Sequence, residues 1–345
     1  MSDPDRARVL AAAGVSRETA ERLDLYVAQL RRWQPIKNLV GPATLTEVWS
    51  RHIDDALQLL DLAPEARTWL DLGSGAGIPG LILAIAGQER GIRIKGWEII
   101  SRHSGIADAT TIERFERELR TKHLPELLFE NAVMDFVHTQ TGARLCFNAY
   151  EALRSWAENP LPPIQVAVSQ DWQRTRLHDI NELGVKRLDY DWTFTTSYSG
   201  HTNGQWRDTH VGIDRELLMR KEPILFYDEI CLYESELDDH GACRLDIKLR
   251  VMPSCWYVLM RYWLRVDGVL VRLKDTRVFC PVGLEGQAPR VVRERKHCEL
   301  HFEQLRMAGV PTSVTAHNDP DASAQIFESI APTGVQMLKL EELVP

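Results

Sequence analysis

The sequence predicts an α+β protein, in which a mainly antiparallel two-layer β-sheet domain follows a helical segment with one Rossmann-like strand-loop-helix unit. Three observations predict this fold class. Helical periodicity runs through the first part of the chain, period-two alternation begins after Gly91, and Asp267-Gly268 separates two long apolar runs. The 345 residues, of which 44% are hydrophobic, suffice for two cores, so we predict domains at residues 1–87 and 88–345.

Two amphipathic helices open the chain. In the first, which Ser16 can cap, apolar residues recur at the i, i+3, i+4, i+7 spacing that places them on one helix face. These residues are Leu23, Tyr26, Val27, Leu30 and Trp33. The apolar face of the second helix consists of Val48, Trp49, Ile53, Ala56, Leu57 and Leu60.

A strand-loop-helix unit comes next. The sequence predicts a short strand at residues 68–72, a glycine-rich turn at 73–77 and a helix at 78–86. Glycines at such a turn let the backbone approach a nucleotide closely, and the amides at the helix start can face it. The unit is therefore a candidate nucleotide-binding loop.

The second domain is predicted to be mostly strands, with a β meander over residues 224–279. Leu245, Ile247, Leu249 and Val251 share one face of a half-buried strand. Thr110 with Glu113, and Asn148 with Glu151, have the spacing of helix capping boxes. A further helix is predicted over residues 294–309, with the sequence ERKHCELHFEQLRMAG.

Composition narrows the function classes. The net charge is −8 and the 41 Lys and Arg residues are spread along the chain, which argues against a nucleic-acid interface. The chain has neither a long apolar run nor a signal peptide, so we expect no membrane association and a cytoplasmic, or alternatively nuclear, location. The six cysteines lack CxxC spacing, which predicts reduced, packed thiols.

Two candidate reactive clusters are rejected. His297, Cys298 and His301 lack the glutamate of an HExxH motif and a second ligand pair, so we predict no metal site. Asp238 and Asp239 precede a histidine and a glycine between two strand patterns, where turn residues are expected.

The segment that contains DLGSGAGIPG at residues 71–80 resembles the start of RsmG/GidB-type ribosomal RNA guanine-N7 methyltransferases, over residues 15–86. The resemblance implies a loop that contacts S-adenosylmethionine through Asp71, Gly73, Ser74, Gly75 and Gly77. Beyond this loop, a carboxylate must hold the ribose, and Glu98 has a suitable spacing.

The rest of the chain does not continue the methyltransferase pattern. Strand follows strand with hairpin signals, so the parallel sheet that such an enzyme needs cannot be completed. We therefore predict a vestigial loop, no catalytic residues and no cofactor, with S-adenosylmethionine required only if the chain is a methyltransferase. A third interpretation is that gene assembly created the junction near Gly87.

Long stretches from residue 91 to residue 345 resemble the TIPRL-like family of TOR signalling pathway regulators. They include LPELLFENAVMDFVH, DYDWTFTTSYSG and KLRVMPSCWYVLMRYWLRVDGVLVRLKDTRVF. The resemblance implies a non-enzymatic protein with two packed antiparallel sheets, whose cleft receives the C-terminal tail of type 2A phosphatase catalytic subunits. A phosphatase regulator is the leading hypothesis, and an S-adenosylmethionine-dependent ribosomal RNA methyltransferase is the alternative.

By motif, the resemblance implies partner contacts at Glu151, Ile213, Leu273 and Asp275. Three of them also have a structural interpretation: Glu151 can cap a helix, and Ile213 can lie in the core. Asp275 can pair with Arg272 or Arg277 in a solvated cross-strand ladder. Independently, basic residues of the predicted meander can receive an acidic or carboxylate-terminated peptide, although a solvated face is the alternative. These basic residues are Arg261, Arg265, Arg272, Lys274 and Arg277.

Overall fold

The protein is described by a computed structural model that covers residues 4–13, 15, 17–62, 70–73, 75–87, 89–166, 169, 173, 188–283, 290–312, 314–329 and 336–344. It forms two compact units: one comprises Met1–Ile92 with Ile100–His103, and the other Arg93–Ile99 with Ser104–Pro345. Helices dominate the first unit and antiparallel strand pairs the second. The predicted α+β class is confirmed.

The first unit packs its helices around one apolar core. The helices are α1 (Pro4–Ala13), α2 (Arg17–Lys37), a 3-10 turn (Pro42–Thr44), a π-helical turn (Trp49–Ile53), α3 (Asp54–Leu62) and α4 (Gly80–Ala86). The core joins α2 residues such as Leu23 and Leu30 to Trp49 and Ile53 of the second predicted helix, as the periodicity indicates. Ser16 lies outside the described residues.

The prediction that Trp33 belongs to the buried face is wrong, because this residue is 45% exposed. The buried stripe of α2 continues from Leu30 to Gln34, which is 8% exposed. The Gln34 amide accepts the Val40 N–H at 2.9 Å and donates to the Val40 carbonyl at 2.6 Å. Gln34 is thus the last buried residue of this helix face, and Trp33, the residue before it, points toward solvent.

The strand predicted at residues 68–72 is also corrected. Residues 68 and 69 lie outside the described residues, and residues 70–72 form no strand. Leu70 and Leu72 are each 83% exposed. A strand requires a neighbour that completes its hydrogen bonds, and neither described sheet supplies one here. The predicted helix does follow, as α4.

The remaining elements belong mainly to the second unit. The strands are β1 (Glu89–Ile94), β2 (Trp97–Arg102), β3 (Leu127–Leu128), β4 (Val133–His138), β5 (Arg144–Asn148), β6 (His201–Thr202), β7 (Gln205–Asp208), β8 (Phe226–Ser235), β9 (Gly241–Val251), β10 (Cys255–Val266), β11 (Leu270–Pro281), β12 (Val291–His301) and β13 (Gln336–Val344). The helices are α5 (Ala109–Leu119), α6 (Ala149–Glu158), α7 (Arg215–Leu218), α8 (Phe302–Met307), a 3-10 turn (Val314–His317) and α9 (Pro320–Ser329). One sheet has the order β1-β2-β4-β5-β6 and the other β3-β8-β9-β10-β11-β12-β13-β7.

The predicted meander is the antiparallel run from β8 to β11. Its last hairpin turns at Asp267-Gly268, as the sequence predicts, and pairs Val266 with Leu270. At the start of β9, a Cβ atom on Gly241 would lie 2.0 Å from the Arg265 carbonyl oxygen. Glycine is therefore required where β9 and β10 approach each other. Asp238 and Asp239 lie in the turn before it, as predicted.

The helix predicted over residues 294–309 is wrong in its first half. Residues 294–301 belong to β12, and only α8 is helical. Cys298 and Leu300 are buried on one side of β12, at the two-residue spacing of a strand. Antiparallel pairing with β11 provides the hydrogen bonds that override the local helical signal.

One predicted cap is confirmed and one is corrected. The Asn148 side chain accepts the Glu151 N–H at 2.9 Å and so caps α6. In α5, however, the cap is Asp108 rather than Thr110, because the Asp108 carboxylate accepts the Thr111 N–H at 2.8 Å.

The eight-stranded sheet has two different faces. Its inner face meets the five-stranded sheet, where the Trp256 ring lies 5.2 Å from Trp97 and 4.7 Å from Phe136, centroid to centroid. Its outer face carries the odd-numbered side chains of β10 and β11, because side chains alternate along a strand. Helices α7, α8 and α9 pack on the outer face.

All six cysteines are free and five are buried, as predicted. Each described helix is too short or too polar to cross a membrane.

Candidate functional site

Two of the four predicted contact residues lie on the same strand and share its outer face. Leu273 and Asp275 are two positions apart on β11, so their side chains point the same way. In the register, Leu273 lies between Trp263 and Cys298, and Asp275 lies opposite Arg261. The outer face at this point is therefore apolar at one position and charged at the next.

Leu273 lies in an apolar cluster beneath two helices. It is 5% exposed and packs in one buried group with Trp263, Phe302, Leu305 and Phe327. Phe302 and Leu305 belong to α8, and Phe327 belongs to α9. The predicted contact residue is thus covered by a later part of the chain.

Asp275 is the centre of an ion-pair network. Arg261 donates from Nε to Oδ1 at 2.8 Å and from Nη2 to Oδ2 at 2.9 Å, and Arg277 donates to Oδ2 at 3.3 Å. Of the two predicted partners, Arg277 is therefore correct. Arg272 is not, because its side chain lies on the opposite face of β11.

The network continues from Arg261 into α9. Arg261 Nη1 donates to Asp321 Oδ1 at 2.8 Å, and Lys248 Nζ donates to Asp321 Oδ2 at 2.5 Å. Burial lowers the pKa of Arg261, but hydrogen bonds and Coulombic attraction to Asp275 outweigh this, so the pKa is raised. Burial also lowers the pKa of Lys248, and its bond to Asp321 likewise reverses the direction.

A cavity of about 120 Å³ opens beside these groups. Its charged lining is Glu229, Arg244, Asp246, Lys248, Arg261, Asp319 and Asp321. Burial raises the pKa of Asp246 to about 6, although the ion pair with Arg244 opposes this shift. Sequence reasoning missed Lys248, Asp246 and Arg244 as site residues. The alternation of charges in CRLDIKLRV was the available signal.

Ile213 lies beside this network on the outer face. It is 7% exposed and belongs to a buried apolar group with Met252, Phe279 and Val292. Its backbone N–H donates to Glu294 Oε1 at 3.1 Å. Glu294 lies opposite Arg277 in the register, next to the Asp275 network. The structure thus places Ile213, Asp275 and Leu273 along one face.

Glu151 is placed separately. It lies in the first turn of α6, where its N–H completes the Asn148 cap and its Oε2 pairs with Arg154 at 2.7 Å. Among the described residues, no hydrogen bond or ion pair connects Glu151 to Ile213, Leu273 or Asp275.

The predicted basic row divides between the two faces. Arg261, Arg265 and Arg277 are on the outer face, and Arg272 and Lys274 on the inner one. The three buried arginines, namely Arg261, Arg265 and Arg272, are each between 7% and 9% exposed and paired with carboxylates, so a solvated face is wrong. Burial and the nearby Arg272 lower the pKa of Lys274 to about 8.

The glycine loop of the first unit keeps its predicted turn. Gly73, Gly75 and Gly77 all have positive φ angles, of 78°, 52° and 81°. Asp71 Oδ2 accepts the Gly80 N–H at 2.9 Å, which ties the loop to the start of α4. Ser74 lies outside the described residues.

The described residues before the loop are solvent-exposed at Leu70 and Leu72, and the Asp71 carboxylate between them is held by the helix start. Glu98, the candidate ribose carboxylate, pairs with Arg93 at 2.7 Å. The described residues also contain no group of three histidine, cysteine or acidic side chains arranged to hold a metal ion.

Comparison with known proteins matches most of the chain to one family. A profile described as the TIP41-like family matches residues 127–306. A TIP41-like protein of Arabidopsis thaliana is 38% identical over 274 residues, which cover 74% of this chain and 92% of that protein. A TIP41-like protein of Rattus norvegicus is 37% identical, with 68% of this chain and 85% of the relative covered.

The N-terminal part matches a different family. A profile described as rRNA small subunit methyltransferase G matches residues 19–94. The ribosomal RNA small subunit methyltransferase G of Methylobacterium radiotolerans is 97% identical over 94 residues, or 27% of this chain. The chain covers 44% of the length of that relative, so it contains less than half of the bacterial protein.

Proposed function

The chain belongs to the TIP41-like family, and we propose that it binds the catalytic subunit of a type 2A protein phosphatase and regulates it within TOR signalling. The catalytic subunit would contribute its C-terminal tail, and the chain would act without catalytic residues or a cofactor. The observation that carries the proposal is the arrangement of Ile213, Leu273 and Asp275 along one face of the eight-stranded sheet.

The chemistry of this face suits a peptide partner. Beneath the helices that cover this face, Leu273 and Trp263 are apolar, and Arg261 and Lys248 carry guanidinium and ammonium donors beside them. Carboxylates on a peptide accept strong, charge-assisted hydrogen bonds from such donors. Mixed apolar and charged grooves are a common mode of peptide recognition.

The test is direct binding of the purified full chain to type 2A catalytic subunits, with and without their C-terminal tails, by biolayer interferometry. We expect binding that depends on the tail. Leu273→Ala should weaken it more than Val271→Ala, which removes apolar volume from the same buried cluster at a position not implied as a contact. Equal effects of the two substitutions, or binding that ignores the tail, would contradict the proposal.

The N-terminal match supports a second candidate, an S-adenosylmethionine-dependent ribosomal RNA methyltransferase. The observation in its favour is the loop from Asp71 to Gly80, with three glycines at positive φ. Calorimetric titration of the full chain with S-adenosylmethionine tests it. Micromolar binding together with no phosphatase binding would favour this candidate, and absence of heat would remove it.

A further inference from the structure

The outer face of the eight-stranded sheet is already occupied by a segment of the same chain. Helix α9 places Phe327 in the buried cluster that contains Leu273 and Trp263. At its first turn, Asp321 binds both Arg261 and Lys248. One helix therefore presents a carboxylate and an apolar side chain to the surface that carries the predicted contact residues.

The two carboxylates that bind Arg261 differ in burial. The Asp275 side chain is 7% exposed and pairs with Arg261 through two hydrogen bonds. The Asp321 side chain is 48% exposed, so solvent screens its ion pairs and makes them weak. Asp275 thus fixes Arg261 in place, while Asp321 can be exchanged for another carboxylate at small cost.

The packing beneath the start of α9 is incomplete. The cavity of about 120 Å³ lies between Asp319, Pro320 and Asp321 on one side and strand residues including Arg244 and Lys248 on the other. The cavity is lined mainly by charged side chains and is large enough to hold water, so little apolar contact joins the start of α9 to the sheet here. The first turn of α9 can therefore separate from the sheet without loss of apolar packing at this point.

We propose that α9 is an internal occupant of the partner-binding surface. A partner replaces it with a peptide segment that presents a carboxylate to Arg261 and Lys248 and an apolar side chain to Leu273. The proposal rests on the function proposed above and specifies both the partner, an acidic and apolar peptide segment, and its regulation. Only molecules in which α9 has left the surface can bind the partner. The apparent affinity for the partner is therefore the intrinsic affinity multiplied by the fraction of molecules in this open state.

Amide hydrogen exchange of the full chain, with and without a type 2A catalytic subunit, tests directly whether the partner displaces α9. We expect the amides of residues 320–329 to exchange faster in the complex, because the partner displaces the helix, and those of β10 and β11 to exchange more slowly. Unchanged or slower exchange in residues 320–329 would overturn the proposal.

A charge substitution provides a second test. Asp321→Asn weakens the attachment of α9, and we expect it to tighten catalytic-subunit binding by about two- to thirtyfold, the range for loss of two exposed ion pairs. Asp319→Asn is the matched control: it removes the same charge two residues away and keeps the oxygen that accepts the Asp321 N–H at 2.8 Å. Weaker binding by Asp321→Asn, or equal effects of both substitutions, would overturn the proposal.

The outcomes also separate this proposal from the proposed function. If the catalytic subunit binds but residues 320–329 do not change, the function stands and the internal occupant is wrong. If neither the wild-type chain nor the Asp321→Asn variant binds the subunit, the function is wrong. In that case, a labelled peptide of residues 314–329 is titrated against a full chain with Asp321→Asn and Phe327→Ala. Binding of this peptide in trans would support the claim that the outer face binds an acidic and apolar peptide segment. Absence of binding would refute this claim as well.

Discussion

Replacing Asp275 with asparagine should destabilise the sheet unit strongly. The substitution keeps the side-chain volume and one hydrogen-bond acceptor, but it removes the negative charge that Arg261 and Arg277 share. The Arg261 side chain is 10% exposed, and its other carboxylate, Asp321, is 48% exposed. Breaking a buried ion pair from one side costs about 3–5 kcal/mol, and we expect about 3 kcal/mol because part of the bonding remains.

The measurement is urea unfolding of the full chain, followed by near-ultraviolet circular dichroism, with the midpoint compared at constant m-value. Asp135→Asn is the matched reference, since Asp135 also pairs with one arginine through two bonds of 2.8 Å. That arginine, Arg144, has a 55% exposed side chain, so the loss should stay below about 1 kcal/mol. If the two variants differ by less than about 1 kcal/mol, our account of the Asp275 network is wrong.

Three further predictions concern single residues. Lys274→Met should raise the free energy of unfolding at pH 7 by about 1–3 kcal/mol, and by less at pH 10, as measured by urea titration at both pH values. The native pKa of Lys274 is about 8, against an ordinary value of 10.5. Between these two pH values the native state binds fewer protons than the unfolded state, so the stability of the wild-type protein rises with pH. Gly241→Ala should cost at least about 2 kcal/mol of unfolding free energy, because the new Cβ meets the Arg265 carbonyl oxygen. Gly105→Ala, which has open space around it, should be nearly neutral when both variants are compared by thermal unfolding. Asn148→Ala should cost about 1 kcal/mol through loss of the α6 cap, and an equal loss from Asn148→Asp in chemical denaturation would contradict this reason.

The meander and the two N-terminal helices could be predicted because their signals are local. Alternation in β9 and the Asp-Gly turn after β10 depend only on neighbouring residues, and both are correct. The helix predicted across β12 failed because its residues also satisfy helical spacing, and only pairing with β11 decides between the two. The strand predicted at Leu70 and Leu72 failed because a strand also needs a neighbour. The sequence pattern of a strand is present here, but neither of the described sheets provides a strand that pairs with these residues.

The charged part of the candidate site was the least predictable. Alternating charges in β9 and β11 indicate a polar strand face, but they do not show whether water or another part of the chain covers it. Here the cover comes from Asp321, which lies 73 residues after Lys248 and 60 after Arg261. Contacts at such separations leave no periodic signal. The nearby partner Arg277 of Asp275 could therefore be predicted, whereas the pairing of Arg261 and Lys248 with Asp321 came from the structure.

The strand order has a consequence for how the protein is made. Strand β13 lies between β12 and β7, and Glu341 pairs with Asp208, roughly 130 residues earlier. During translation, β7 therefore emerges long before its neighbour exists, and β12 presents an open edge until the ribosome has delivered β13. Unpaired edges are where nascent sheets associate with the wrong chains. We expect ribosome-bound chains that stop before β13 to need chaperone protection, which released chains no longer require.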